Sequence, residues 1–379
     1  MPHPGRAHVD VSVLEGDPAR PSPRARPWLF IDGAGYFGGH EVMLARLIDE
    51  LARQQRIMPR VLARRGSRLR AQIDRVAAPL DLVPEGTSKL TRLWRNCRDA
   101  ITSTRAILAL KPELCVVAEG CVLSQPIYGP IARLLGVPLV VYMPLVDSST
   151  SMGFRTGKVR DWIVRHGYAN LPDAWITITE RQARAFAAWA GVRRPIFTLS
   201  NTVQQSIEHA AISGTSSPGQ ELRVLVLGRI EVHQKGLDLL IAHLADSPAL
   251  IGQVRVQLVG DGSYRTTIET WLQSNETLRA LIELQPWSDT IEALQASDVV
   301  LIPSRFEGVP LVMLEAMAVG VPVIASDLPG TQPYLGDDSR FPVGDLARAF
   351  DLVLALRDET HRRDVIARNR AAFNARASG

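Results

Sequence analysis

Short apolar runs alternate with amphipathic helical patterns along this chain, and after one break the alternation starts again. In the first half the strand-like runs are 28–32 (WLFID), 59–63 (PRVLA), 79–83 (PLDLV), 114–118 (LCVVA), 138–142 (PLVVY), 174–178 (AWITI) and 196–199 (IFTL). Helical patterns fill 39–53, 67–77, 92–110, 124–135, 158–169 and 180–190. Runs this uniformly apolar need cover on both faces, which parallel strands joined by helices provide. The Ser/Gly/Pro-rich stretch AISGTSSPGQEL ends at Leu222 and breaks the pattern. Then RVLVLG (223–228), VRVQLVG (254–260), ALIELQP (280–286), DVVLIPS (298–304) and VPVIAS (321–326) take it up, with helices over 235–246, 263–274, 289–296, 310–319, 345–356 and 358–373.

The expected fold class is therefore α/β, with two doubly wound, Rossmann-like parallel-sheet domains facing across a cleft. Residues 27–200 form the first domain, 201–222 a linker and 223–379 the second; the proline-studded residues 1–26 read as a disordered leader. Ligands of such sheets sit off the carboxyl ends of the strands.

Charge is unevenly shared. Residues 1–200 hold 28 Lys/Arg against 17 Asp/Glu, and residues 201–379 hold 15 against 22. A basic half suits an anionic surface or substrate, although solvated helix faces and tail arginines give the same totals. The densest stretches are Arg64, Arg65, Arg68 and Arg70, then Arg92, Trp94, Arg95 and Arg98. A basic helix carrying an aromatic can rest on a membrane surface as a peripheral contact. Nucleic acid is excluded as a partner, since the chain has no zinc spacing, RNP-like pattern or helix-turn-helix signature. No apolar run reaches the ~18 residues that span a bilayer. Cys97, Cys115 and Cys121 show no paired spacing, which fits a reducing cytoplasm.

The densest chemistry lies in SRFEGVPLVMLEAMAVGVPVIAS, Ser304 to Ser326. An apolar strand ends just before Glu307, Pro310 is preset for the first helical turn, and Gly320 ends the helix. Glu315 falls inside an otherwise apolar helix, where a carboxylate needs a hydroxyl or a cation. Glu307 and Glu315 can border one cavity, into which the amides of Gly308, Val309 and Leu311 point, as helix starts do toward phosphate. The plainer alternative pairs Glu315 with Arg305 and leaves Glu307 as a cap. In LGRIEVHQKGLD, Arg229 and Lys235 flank a strand-to-helix loop and together make a diphosphate clamp. LVGDGSYRTTIETWL is another strand–glycine loop–helix unit, and LSNTV (199–203) reads as a hinge.

Gly33, Gly35 and Gly38 also spell G-x-G-x-x-G after the first strand, with Arg64 and Arg65 available for a 2′-phosphate. An NADP-dependent oxidoreductase is thus an alternative, although Phe37-Gly38-Gly39 reads better as a loop closing over a ligand.

Four segments resemble the family-four retaining glycosyltransferases, which have the GT-B fold. They are G-R-x5-K-G (Gly228 to Gly236), V-G-D-G (Val259 to Gly262), P-S-x-x-E-G-x-P-L (Pro303 to Leu311) and L-E-A-M-A-x-G-x-P-V (Leu314 to Val323). Gly38-Gly39-His40-Glu41 resembles the family's N-terminal G-G-x-E loop. The resemblance implies that Arg229 and Lys235 hold the diphosphate of a UDP- or GDP-linked sugar. It implies that Glu307 faces the donor sugar, that Glu315 takes the ribose hydroxyls, and that Gly38 and Gly39 approach the phosphates. It further implies a polysaccharide-building role, a glycan or lipid-linked acceptor, and no cofactor. No D-x-D pair occurs, so no metal is expected. The family's first-domain histidine is missing from VVYMPLVDSSTSMGF; Asp147, Ser148, Tyr142 and Glu119 are substitutes to consider. That departure keeps open a catalytically inactive nucleotide-sugar-binding protein.

Overall fold

The computed structural model describes residues 26–33, 38–54, 57–64, 76–80, 89–204, 207 and 221–377. Residues 1–25, Gly35, Phe37, the arginines Arg65, Arg68 and Arg70, most of the helical pattern 67–77 and most of the linker 201–222 lie outside them, whereas Arg26, read as the end of the leader, opens the first strand. Side chains 64–93 and 95 lie outside them too. The chain divides into two units, Met1–Ser200 and Asn201–Gly379.

The first unit is a parallel sheet of seven strands: β1 (Arg26–Asp32), β2 (Ile57–Arg64), β3 (Val76–Leu80), β4 (Leu114–Ala118), β5 (Leu139–Tyr142), β6 (Ala174–Thr177) and β7 (Ile196–Thr198). Their order is β3-β2-β1-β4-β5-β6-β7, with β1 pairing β2 on one side and β4 on the other. The helices are α1 (Gly39–Arg53), α2 (Lys89–Leu110), α3 (Tyr128–Leu134), α4 (Gly157–His166) and α5 (Glu180–Ala190). Right-handed crossovers carry α2, α3, α4 and α5 to one side of the sheet and α1 to the other. Residues 76–77, read as the end of a helix, belong to β3 instead. Its short run VAAPL pairs in parallel with β2.

Local chemistry sets the element ends. The Thr179 hydroxyl accepts the Gln182 N–H at 3.2 Å to start α5, and Gly191 stops it at φ 68°. Trp175 on β6 is fully buried, packs edge-on against Phe186 of α5, and gives its indole N–H to the Ala169 carbonyl. Leu29, Ile31, Val117 and Val141 complete this core.

The second unit repeats the design with six parallel strands: β8 (Leu222–Leu227), β9 (Val254–Val259), β10 (Ile282–Gln285), β11 (Val299–Ile302), β12 (Val323–Ser326) and β13 (Arg340–Phe341). Their order is β10-β9-β8-β11-β12-β13. Its helices are α6 (Leu237–Ala245), α7 (Arg265–Ser274), α8 (Glu276–Leu281), α9 (Thr290–Gln295), α10 (Leu311–Val319), α11 (Leu346–Ala355) and α12 (Glu359–Arg376). The run ALIELQP, read as one strand, is the end of α8 followed by β10. The Asn275 side chain caps α8 at the Leu278 N–H, and the apolar residues simply continue across the junction. Pro310 is the cap residue before α10 rather than its first helical residue.

Candidate active site

In the second unit the strand order reverses between β8 and β11, so the loops that follow them diverge from the same point of the sheet's carboxyl edge. A doubly wound sheet opens its ligand crevice there. The loop after β8 carries Arg229, Gln234 and Lys235; the loop after β11 carries Ser304, Arg305 and Glu307.

Glu307, 9% exposed, collects three donors. Lys235 Nζ and Ser304 Oγ reach its Oε1 at 2.6 and 3.0 Å, and Gln234 Nε2 reaches Oε2 at 3.3 Å. The other end of the Gln234 amide, Oε1, accepts Arg229 Nη2 at 2.7 Å. A continuous polar chain, Arg229–Gln234–Glu307–Lys235, thus joins both loops.

The backbone explains why the loops can meet. Gly236 has φ +65°, and a Cβ there would lie 2.2 Å from the Pro303 carbonyl oxygen. Gly260, in the loop after β9, has φ +149°, and a Cβ would lie 1.8 Å from the carbonyl oxygen of Gly228. Only glycine fits either place. The Arg305 N–H also donates to the Gln234 carbonyl at 2.7 Å, fixing one loop on the other.

Arg305 does not take Glu315, which rules out the plainer alternative. Its fork closes on Asp238 at the start of α6, with both contacts 2.7 Å long, and holds the Asp238 carboxyl below its ordinary value. Glu315 stands one turn into α10, partly exposed. Gly308, Val309 and Leu311 run from Glu307 into that helix, and the carbonyl of Val309 accepts Asn201 Nδ2 at 2.8 Å. His233 is exposed, edge-on to Phe306. The structure therefore brings Arg229, Lys235 and Glu307 into one hydrogen-bonded group. Gln234 and Ser304 complete it, and neither stands out in the sequence. The available signal was their position beside motif residues on loops leaving neighbouring strands.

Gly38 and Gly39 lie in the first unit, at the amino end of α1, where Gly38 N–H donates to Glu41 Oε2 at 2.7 Å. The Gly33 N–H is engaged by Gln125 Oε1 at 2.6 Å, and a Cβ on Gly33 would meet the Tyr128 hydroxyl at 2.5 Å. Side chains thus crowd the first glycine of the G-x-G-x-x-G stretch, where a dinucleotide fold leaves open backbone for a pyrophosphate. Asp32, His40 and Glu41 each place one potential ligand atom within 4.8 Å of the others. Their oxygens also serve the local fold, Asp32 Oδ1 accepting Gln125 Nε2 at 3.1 Å and Glu41 capping α1.

Of the substitutes for the missing histidine, Tyr142 and Glu119 are fully buried, whereas Asp147 and Ser148 are partly exposed. Burial pushes the Glu119 carboxyl up to about 7, against the Tyr168 hydroxyl that donates to it. Burial, then the charge of Glu41, pushes the Tyr142 phenol well up; burial also raises Asp147.

Residues 210–371 match the family model described as glycosyl transferases group 1, and residues 38–202 match a glycosyl transferase 4-like domain. A stretch of 74 residues is 38% identical to the UDP-Gal:alpha-D-GlcNAc-diphosphoundecaprenol alpha-1,3-galactosyltransferase of Escherichia coli, covering 19% of each chain. A stretch of 142 residues is 32% identical to the phosphatidyl-myo-inositol mannosyltransferase of Mycobacterium leprae, covering 35% of this chain and 36% of that one. The matches thus span from under a fifth to little over a third of these curated relatives. Sucrose-phosphate synthase of Thermosynechococcus elongatus shares the GT-B fold at a TM-score of 0.66 and 18% identity, over 93% of this chain and 95% of that one.

Proposed function

The chain belongs to the group 1 glycosyltransferases, and from that premise we propose that it moves a sugar from a UDP- or GDP-linked donor to an acceptor hydroxyl. The reading includes retention of configuration, no metal, and an acceptor that is a glycan or a lipid-linked sugar. It includes work in the cytoplasm with peripheral contact to a membrane. The observation that carries the reading is the Arg229–Gln234–Glu307–Lys235 chain at the switch point between β8 and β11.

Breaking the bond between sugar and nucleoside diphosphate moves negative charge onto the leaving phosphate. Cations fixed beside that oxygen stabilise the transition state more than the bound donor. Lys235 has three N–H donors, and one is engaged by Glu307, so the ammonium can serve a phosphate while its own position stays fixed. Arg229 is steadied in the same way by Gln234. Glu307 then faces the sugar, Glu315 the ribose hydroxyls, and the amides of Gly308, Val309 and Leu311 the phosphates. The lipid-linked acceptor is supported by the names of both relatives, one acting on a diphosphoundecaprenol-linked sugar and the other on phosphatidylinositol.

A thermal-shift screen over UDP-, GDP- and ADP-sugars, followed by product analysis with the best donor, tests the reading. One donor raises the melting temperature strongly and is turned over, and the Glu307→Ala protein binds it without turnover. A donor that binds but is never consumed identifies an inactive binding protein. No shift with any of them removes the proposal.

A further inference from the structure

Seven of the eleven large hydrophobic side chains exposed among the described residues fall on three helices of the first unit. Trp94, Ile101 and Leu108 are 65, 52 and 58% exposed on α2; Leu134 is 86% exposed at the end of α3; Val159, Trp162 and Ile163 are 61, 60 and 44% exposed on α4. The crossovers place these helices in one layer, on the same side of the sheet. Steps of seven put Trp94, Ile101 and Leu108 in a line along α2, and Arg98 and Arg105 form a second exposed line beside it. On α4, Lys158 and Arg165 are exposed next to Trp162.

The acids of these helices point the other way. α2 and α4 contain one each, Asp99 and Asp161, and α3 contains none. Asp99 is buried and accepts the Tyr128 hydroxyl, and Asp161 is buried and accepts the N–H groups of Ser149 and Thr150. The outer surface of the layer thus mixes apolar groups with charge of a single sign.

We propose that this surface, α2 together with α3 and α4, docks the protein on an anionic lipid bilayer. The inference deepens the peripheral-membrane part of the function proposed above and is independent of sugar transfer. A fluid interface accepts tryptophan and aliphatic tips while its headgroups pair with the surrounding cations. A second copy of the same surface would set Arg98, Arg105, Lys158 and Arg165 against their own like charges. A purely polar polyanion would leave Ile101, Leu108, Val159 and Ile163 with nothing to bury against.

The test is co-sedimentation of the full chain with vesicles of phosphatidylcholine, alone or with one-third phosphatidylglycerol, at low and high salt. Binding requires phosphatidylglycerol and weakens with salt. Arg98→Gln and Lys158→Gln each lower the partition coefficient about fivefold, and Ile101→Ser with Trp162→Ser lowers it about tenfold. Melting temperature and UDP or GDP affinity stay at wild-type values in all of these variants. No sedimentation with anionic vesicles, or sedimentation unchanged in the variants, overturns the proposal. So does a self-association that the Ile101/Trp162 variant abolishes, because the surface would then join proteins. Vesicle binding without nucleotide binding would sink the catalytic reading and leave this one standing.

Discussion

The Lys235–Glu307 pair can be dissected by substituting first one partner and then both. Its contact is 2.6 Å long, with Glu307 9% and Lys235 21% exposed. That places it between surface pairs, worth up to about 1 kcal/mol, and fully buried pairs, whose breakage costs about 3–5 kcal/mol. Lys235→Met leaves the Glu307 carboxylate with only the neutral donors Ser304 and Gln234, a loss of about 2–3 kcal/mol. For a unit of this size that lowers the melting temperature by about 4–12 °C. Glu307→Gln costs about 1 kcal/mol, because the partly exposed ammonium can turn to water. The double variant holds no unpaired charge and recovers most of the Lys235→Met loss.

Nucleotide affinity follows a different pattern. A charged hydrogen bond to phosphate is worth about 1.5–3 kcal/mol, so Lys235→Met weakens UDP or GDP binding by about 10- to 150-fold. The double variant does not restore it. Melting curves and calorimetric titrations of the four proteins read both effects. If the double variant recovers affinity together with stability, Lys235 is only the counter-ion of Glu307, and the clamp is wrong. If Lys235→Met melts like the wild type, the pair is not desolvated in solution.

Two further outcomes follow from groups already described. Gly260→Ala sets a Cβ 1.8 Å from the Gly228 carbonyl oxygen at φ +149°, which forces the two loops apart. It should cost about 4 kcal/mol or more in a urea melt and weaken nucleotide binding through Arg229, so a loss under about 1 kcal/mol would contradict the backbone contact. Glu119 has a raised pKa, so the folded state holds its proton more tightly than the unfolded state and stability falls as pH climbs from 4.5 to about 7. Glu119→Gln removes a penalty of about 3 kcal/mol that is absent at pH 4 and complete by pH 8, and an equal effect of the substitution at both pH values would refute the assignment.

Much of the scaffold is readable from residue patterns. α1 and α5 begin and end where Gly38, Thr179 and Gly191 say they should, and β4 is wholly apolar from end to end. Reading failed where one pattern ran through a junction, as at α8 and β10, and where an element was too short to show a period, as in β13. The candidate site was legible as residue types but not as contacts. Lys235 and Glu307 are 72 positions apart, and only the adjacency of β8 and β11 reveals that their loops share an edge. The plainer alternative, Arg305 with Glu315, looks only along the chain, whereas the strand order brings Arg305 to Asp238.

Asn201, the first residue of the second unit, grips the carbonyl of Val309 two positions beyond Glu307. A short tether therefore links the entrance of this unit to the segment carrying its central acid. Asn201→Ala would cut that cord and leave Glu307 held by Lys235, Ser304 and Gln234 alone.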